Sequence, residues 1–378
     1  MKKTALIFFT LLSIFLFSCS GIPHKIFPFR AVPDYCLPNF PDKDCWYGAD
    51  AAYSIKLDNE RTLWLFGDTF AAPEEGRRDR IGMDVILGAT LAISTCAEEG
   101  KFNIKYFIKN KNGKFVSFFG ENEWLWPQDP FLIDNALYIP LLVIEALPKK
   151  YAPFNFRVTG HKIALIKDFT DADPRNWHVD YLDITKHIPP EITAWATTTI
   201  VHDGYLYFYP LFKSRDTTGN ILARIKTGDL KNRIWEMEYL HQDGKWDKKI
   251  DARRVQVIFS EALSELSVRP RYDNNGWMAI YLSPADGGKR LLRREAPRPE
   301  GPWSEGKTLI EKIPEMDEQS PLYDKNTFCY AGKEHVQYSR PRRIVATYVC
   351  NSLEEDTETS FLRRNLFLYR PVVVNISY

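Results

Sequence analysis

Residues 48–70 read GADAAYSIKLDNERTLWLFGDTF, and this segment decides the fold. Two runs rich in apolar residues, 53–57 and 62–66, flank a turn-like Asp58-Asn59-Glu60, which is the pattern of an antiparallel β-hairpin. In an antiparallel pair the numbers of facing residues have a constant sum, and a turn centred near Asn59 sets that sum at about 118. The register therefore predicts that Asp50 faces Asp68.

This predicted pairing of two carboxylates needs a reason, because like charges that face each other across two strands destabilise a sheet. Two close carboxyl groups cannot both ionise easily, so one keeps its proton at neutral pH while the other remains an anion. Such a pair suits acid/base catalysis, and we predict Asp50 and Asp68 as the catalytic residues. The alternative is a slipped register in which both aspartates only cap turns.

The N-terminus has the pattern of a signal peptide, predicted over residues 1–18. Three features indicate it: the basic Met1-Lys2-Lys3, an apolar run over 5–17, and a small residue before Cys19. Leu16-Phe17-Ser18-Cys19 resembles a bacterial lipobox, in which Cys19 becomes the lipidated first residue. We therefore expect an exported protein of the bacterial cell envelope, anchored to a membrane by lipid rather than spanning it, with residues 19–45 as a tether.

Composition narrows the class of partner. Of 378 residues, 50 are Lys or Arg and 49 are Asp or Glu, so the net charge is close to zero and nothing favours nucleic acid. Aromatic residues make up 14% of the chain, which in an exported β-rich protein favours a carbohydrate ligand. Besides Cys19 the chain has five cysteines, an odd number, so at least one thiol is left over. Cys36 with Cys45 and Cys329 with Cys350 are plausible disulfides in an oxidising compartment, and the sequence leaves the connectivity open.

The mature chain shows a β-type repeat of about seventy residues. Short runs rich in Val, Ile, Tyr, Phe and Trp alternate with turn residues, so we predict an all-β fold. Equivalent second-strand positions recur at intervals of 67 to 74 residues, at Trp64, Tyr138, Tyr207, Ala279 and Ala346. Five such units predict a single five-bladed β-propeller over residues 46–378, closed by a strand at 366–374 against the first blade. The alternative is a pair of β-sandwiches.

In a propeller the inner strands line a central funnel, so further ligand-binding residues should come from equivalent places in the other blades. Trp126 and Trp195, together with Trp124, could stack on sugar faces or belong to the core. Asp129 could hold a sugar hydroxyl or close a turn, and Arg269 could bind a ligand or form a salt bridge. His335 could carry a proton or be a structural histidine.

Seven short segments of the chain resemble those of a known family. They are Gly48 to Ser54, Leu63 to Thr69, Trp126 to Asp129, Val201 to Tyr207, Gly301 to Ser304, Tyr330 to His335 and Leu368 to Pro371. Together they resemble domain of unknown function 4185, a five-bladed propeller family. Some of its members are similar to endo-acting D-arabinan hydrolases of glycoside hydrolase family 183. The resemblance implies a polysaccharide substrate and catalytic carboxylates at the positions of Asp50 and Asp68.

The sequence thus predicts a cell-envelope lipoprotein that hydrolyses a furanoside polysaccharide such as D-arabinan by paired-carboxylate chemistry. A non-catalytic propeller that binds glycan or protein at the cell surface is the alternative. A sialidase-like enzyme is disfavoured because no Ser-x-Asp-x-Gly-x-x-Trp box recurs through the blades. We expect no cofactor and no catalytic metal, although a structural calcium on the propeller axis is compatible with the sequence.

Overall fold

The computed structural model of the protein describes residues 36–97, 100–148 and 154–378. Its regular structure is almost entirely β-sheet, and the five predicted repeats are five blades around a central axis, which confirms the propeller. Over the described ranges, no helix has the length and apolar character needed to cross a membrane. The predicted signal peptide and Cys19 lie outside the described residues.

Blades one and two are each built on a long antiparallel hairpin. In blade one the order of pairing is β1-β2-β4-β5, and in blade two it is β12-β11-β10-β8. A small separate hairpin, β6 with β7, lies between them in sequence. The strands are β1 (Trp46–Lys56), β2 (Arg61–Ala71), β3 (Asp84–Ile86), β4 (Thr90–Cys96), β5 (Phe102–Phe107), β6 (Lys109–Lys111), β7 (Lys114–Val116), β8 (Trp124–Pro127), β9 (Phe131–Ile133), β10 (Ala136–Ala146), β11 (Phe156–Ile166) and β12 (Val179–Asp183).

Blade three is divided into two small sheets, one ordered β13-β16-β17-β21 and the other β14-β15-β18-β19-β20. Helix α1 (Thr227–Lys231) follows β18. The strands are β13 (Ile192–Ala194), β14 (Thr199–His202), β15 (Tyr205–Phe208), β16 (Leu211–Lys213), β17 (Thr218–Ile221), β18 (Ala223–Lys226), β19 (Glu238–Leu240), β20 (Trp246–Asp247) and β21 (Val257–Phe259).

Blades four and five complete the ring. Blade four is ordered β22-β23-β24-β25 and blade five β26-β27-β28, with helix α2 (Phe361–Arg364) before the last strand. Trp64, Tyr138, Tyr207, Ala279 and Ala346, the residues that marked the repeat, all lie in the second strand of their blade. The strands are β22 (Ser267–Pro270), β23 (Trp277–Leu282), β24 (Leu291–Ala296), β25 (Lys307–Ile310), β26 (Thr327–Glu334), β27 (Arg343–Ser352) and β28 (Val372–Ser377).

The prediction that the C-terminal strand closes the ring against blade one was wrong. Within the described residues, strand β28 pairs with β27 and with no strand of blade one, so it extends blade five. Contacts of Arg80 with the segment before β28 join the two blades, and one of them is a backbone hydrogen bond from Arg80 to Arg363. The buried guanidinium of Arg80 in blade one donates hydrogen bonds to five carbonyl oxygens, and burial lowers its pKa to about 9. The acceptors belong to Tyr47, Leu362, Asn365, Leu366 and Leu368.

The inner strands of the five blades all run in one direction along the axis. Each begins at what we call the near end, where Asp50 lies, and finishes at the far end, where Lys56 lies. A cavity lies at each end. The cavity at the near end is lined by Asp50 and by residues that precede β9, β14 and β22. The cavity at the far end is lined mainly by residues of the inner strands. Buried apolar clusters fill the spaces between successive blades, so the blades are held by packing around a polar axis.

The cysteine pairing agrees with the prediction in part. Cys329 and Cys350 face each other across β26 and β27 and form a disulfide, as expected. The plausible bond between Cys36 and Cys45 is not formed, because Cys36 is joined to Cys96 at the end of β4; among the described cysteines, Cys45 is the free thiol, and it is half-buried. The first described residues lie across blade one, where Phe40 packs on Trp64, and this path carries Cys36 away from Cys45.

Candidate functional site

The β1–β2 hairpin has the predicted register with three local shifts, two of them between Ala49 and Tyr53. Ser54 pairs with Trp64 and Ala49 with Thr69, as a turn near Asn59 requires. Between these pairs the ladder shifts once and shifts back, because Ala51 faces Phe66 and Tyr53 faces Leu65. Ala51 and Ala52 take positive φ angles of 68° and 63°, which accommodate the shift.

The shift leaves Asp50 opposite both Gly67 and Asp68. A Cβ atom placed on Gly67 would overlap with Oδ1 of Asp50, so the carboxyl group of Asp50 lies directly against the backbone of β2. Both aspartate side chains are half-buried at the near end of the axis. The structure therefore brings together the two carboxyl groups that the sequence predicted to be neighbours.

Asp68 is surrounded by N–H donors. Its Oδ1 accepts hydrogen bonds from the backbone N–H of Gly88 at 2.7 Å and from the indole N–H groups of Trp124 and Trp126 at 2.8 and 2.9 Å. Burial raises the pKa of Asp68 to about 6, and the three donors limit the rise because they stabilise the anion. Asp68 is therefore built to carry a negative charge at neutral pH.

Asp50 has a different environment. Burial and the neighbouring charge of Asp68 raise its pKa to about 8. Its contacts are hydroxyls rather than N–H groups: Tyr330 donates a hydrogen bond of 2.9 Å to Oδ2, and Tyr369 also contacts the carboxyl group. Because hydroxyls stabilise the anion less than the three N–H donors of Asp68 do, the first proton that the pair binds resides on Asp50.

A third carboxyl group, which the sequence reasoning missed, belongs to the same site. Glu265 and Asp50 line one cavity of about 80 Å³ at the near end. Glu265 accepts hydrogen bonds from the hydroxyl of Ser264 and from the backbone N–H of Ala331, and burial raises its pKa. Its position two residues before β22, the inner strand of blade four, is the signal that could have found it, since Asp129 lies two residues before β9 in blade two.

A larger depression opens beside Asp68. Its volume is about 820 Å³, within the range of small-molecule sites, and it could hold more than one sugar unit. Tyr369, which contacts the carboxyl group of Asp50, also lines this depression, whereas Asp50 itself lines the cavity of about 80 Å³. The lining residues are Asp68, Phe70, Val85, Asn155, Asn351, Ser352, Leu353, Glu354, Glu355, Asp356, Leu362 and Tyr369.

The predicted aromatic residues differ in their positions. Trp124 and Trp126 adjoin the site, where their N–H groups hold Asp68, and the two rings pack edge to face at 5.4 Å. Trp195 is 1% exposed and packs against Phe208 in the core between blades two and three, so its ring offers no face to a sugar. The structure thus connects two of the three tryptophans with the carboxyl pair.

The other predicted ligand-binding residues lie toward the far end. Arg269 makes two 2.9 Å hydrogen bonds to the carboxylate of Glu334, and both side chains are buried. His335 is held between Ser54 and Thr347, and burial together with the charge of Lys333 lowers its pKa to about 3. Protein groups thus occupy the guanidinium of Arg269 and both ring nitrogens of His335.

Asp129 also lies away from the carboxyl pair. One oxygen accepts hydrogen bonds from the backbone and hydroxyl of Thr199, and the other is 3.2 Å from the ammonium of Lys333. Across residues 36–97, 100–148 and 154–378, no group of three His, Cys, Asp or Glu side chains has the spacing of a metal site.

A family model for domain of unknown function 5005 matches residues 39–378. The chain belongs to the DUF5005 family. The resemblance to domain of unknown function 4185 was therefore wrong. The placement of Asp50 and Asp68 does not depend on that resemblance, because it rests on the hairpin register.

One solved structure supports the fold of this DUF5005 protein, and two others align with it less well. A crystal structure from Bacteroides ovatus, described as that of a candidate hydrolase, aligns with a TM-score of 0.66 at 16% identity and covers 88% of this chain and 86% of that one. A family 117 glycoside hydrolase of Zobellia galactanivorans aligns with a TM-score of 0.47 at 10% identity and covers 91% of this chain and 88% of that one. The catalytic domain of a family 62 α-L-arabinofuranosidase of Coprinopsis cinerea aligns with a TM-score of 0.43 at 10% identity and covers 91% of this chain and 95% of that one. A comparison with curated proteins found no match.

Proposed function

We propose that the protein is a glycoside hydrolase in which Asp50 is the general acid and Asp68 is the carboxylate that attacks the sugar or activates water. The observation that carries this proposal is the different environment of the two carboxyl groups. Asp68 accepts three N–H hydrogen bonds, whereas Asp50 is buried beside Asp68 and contacts two tyrosine hydroxyls.

Glycoside hydrolysis requires this division of roles. One carboxyl group must be protonated so that it can donate a proton to the leaving oxygen, and the other must be ionised on the opposite side of the sugar. With pKa values of about 8 for Asp50 and about 6 for Asp68, the productive protonation state predominates near neutral pH. Glu265, in the same cavity as Asp50, is the remaining carboxyl group able to adjust this balance.

For the substrate we propose a polysaccharide cleaved internally, and the volume of the depression beside Asp68 supports binding of several sugar units. The expectation of D-arabinan rested on a family to which the chain does not belong, so D-arabinan is one substrate among several to be tested. The acidic side chains Glu354, Glu355 and Asp356 line the depression and favour neutral glycans over acidic ones.

The test is to incubate the protein, lacking residues 1–18, with neutral furanoside and pyranoside polysaccharides that include D-arabinan. Release of reducing ends reports cleavage. We expect D50N and D68N each to reduce the rate by roughly 10²–10⁴-fold, because removing a positioned acid or base has effects of that size. D134N is the matched control, because Asp134 is an exposed turn residue paired with Lys231.

Cleavage that survives in both variants would exclude these two residues as the catalytic pair. Binding of a glycan without cleavage would favour the alternative of a non-catalytic propeller.

We also propose that the protein is exported and lipid-anchored through Cys19. The lipobox-like segment before Cys19 supports this, and so do the two disulfides, because such bonds persist in oxidising compartments. Metabolic labelling with an alkyne fatty acid should label the wild-type protein and not C19S. Equal labelling of both forms would contradict the assignment.

A further inference from the structure

The ammonium group of Lys333 lies on the axis of the propeller, between the cavities of the two ends. Its side chain is only 3% exposed. Lys333 stands on β26 beside an irregularity, where Ala331 has a φ of 54° and the pairing with β27 shifts between Tyr330 and Lys333. This shift aims the N–H of Ala331 at Glu265 and leaves the Lys333 side chain on the axis.

Every other blade contributes a partner to this one cation. Blade one supplies the ring of Tyr53, whose centroid is 4.4 Å from Nζ, and blade two supplies Asp129 Oδ1 at 3.2 Å. Blades three and four supply the carbonyl oxygens of Thr197 at 3.4 Å and Leu266 at 2.8 Å. A carboxylate, two carbonyl oxygens and an aromatic face are the groups that bind a small cation.

We propose that the propeller axis is a cation site that the chain fills with its own Lys333 ammonium, and that this ammonium is a positioning group for Glu265. The part concerning Glu265 rests on the proposed function. On this reading Asp129 serves to hold Lys333 rather than a sugar. The positive charge also opposes the effect of burial on the pKa of Glu265, and Leu266, the acceptor from blade four, is the next residue in the chain.

The geometry makes the site testable by chemical rescue. K333A would remove the ammonium and leave Asp129, the two carbonyl oxygens and the Tyr53 ring facing an empty space. A cavity of about 310 Å³ at the far end is lined by Asp129 and Lys333, so a small cation from solvent can reach that space. Methylammonium matches the end of the missing side chain, whereas tetramethylammonium has no N–H donor.

We expect K333A to unfold roughly 5–10 °C below the wild type, because removing one partner of a buried ion pair is strongly destabilising. Methylammonium chloride should restore the midpoint in a saturable manner, as expected for a ligand that binds the folded state only. Tetramethylammonium chloride at equal ionic strength should not. The wild-type midpoint should respond to neither salt.

The matched control is K109A. Lys109 also lies over an aromatic ring, 4.0 Å from the centroid of Phe118, and donates to a carbonyl oxygen. It lies off the axis, and the nearby carboxylate of Glu121 is exposed and hydrogen-bonded to Lys111. Its variant should show no selective rescue. If K333A does not fold, K333M replaces it in the test, because methionine keeps an aliphatic side chain without the charge. A lowered thermal midpoint of K333M supports the proposal, and an unchanged midpoint overturns it.

An unchanged midpoint in K333A, or equal responses to both salts, would also overturn the proposal. The thermal midpoints can be measured without a substrate. If the wild type proves inactive, the proposed function fails, but the midpoints still test the cation site. If the wild type is active, methylammonium should restore the rate of K333A over the same concentrations that restore its midpoint. A restored midpoint without a restored rate would show that the cation stabilises the axis and does not position Glu265.

Discussion

Replacing Asp50 by asparagine should make the protein more stable at alkaline pH. The pKa of Asp50 is about 8 in the folded protein, against an ordinary aspartate value of 3.8. Between these two values the folded state holds a proton that the unfolded state has lost, so the free energy of unfolding falls as the pH rises. D50N has no such proton and should escape this part of the loss.

The expected size follows from the same values. A proton retained only by the folded state changes the free energy of unfolding by about 1.4 kcal/mol per pH unit, or about 4 kcal/mol from about pH 5 to about pH 8. Because Asp50 is half-buried and solvent screens part of its charge, about 2 kcal/mol is the figure we expect. The Tyr330 hydroxyl can donate to the asparagine oxygen as it does to Asp50, so few contacts should be lost.

The assay is denaturant unfolding of wild type and D50N at a series of pH values, with D134N as control. The difference in the free energy of unfolding should grow between about pH 5 and about pH 8 in favour of D50N and then level off. For D134N, the difference from the wild type in the free energy of unfolding should not change with pH. A flat difference for D50N, or one that grows toward acid pH, would refute the claim that folding forces a proton onto Asp50.

Three further variants test the surroundings of the pair and the closure of the ring. W126F removes one of three N–H donors to Asp68, so the acid limb of the pH–rate profile should move up by about 1 to 2 pH units; a profile that stays in place would contradict that role. G67A should displace the Asp50 carboxyl group and lower the rate roughly a hundredfold while the thermal midpoint hardly changes, as circular dichroism would show. R80M leaves five carbonyl acceptors without their donor and should lower the free energy of unfolding by roughly 3 kcal/mol or more in urea; a loss below about 1 kcal/mol would mean that packing alone closes the ring.

The interactions that complete the site join residues far apart in the sequence. The indole donors to Asp68 come from blade two, the hydroxyl donor to Asp50 comes from blade five, and Glu265 precedes blade four. A repeat of about seventy residues shows that such blades exist. It does not show which side chains meet across the axis, and for that reason Glu265 was missed.

The disulfide pairing and the surroundings of the other candidate residues have the same origin. Cys36 bonds to Cys96 instead of the nearer Cys45, because the path of the chain across blade one determines which thiols meet. Arg269, His335 and Trp195 have residue types that suit a sugar site, but the fold places two in buried polar networks and one in the core. A residue type indicates what a side chain can do, whereas its neighbours decide what it does.

The sequence by itself determined the β-hairpin of residues 48–70, its register and the number of blades, because these depend on local alternation, turn residues and spacing. Only the tertiary structure decided which aspartate holds the proton, which third carboxyl group joins the pair and which side chain occupies the axis. Burial and charge act through space at distances of a few ångströms, and in a propeller those distances are set by closing the ring.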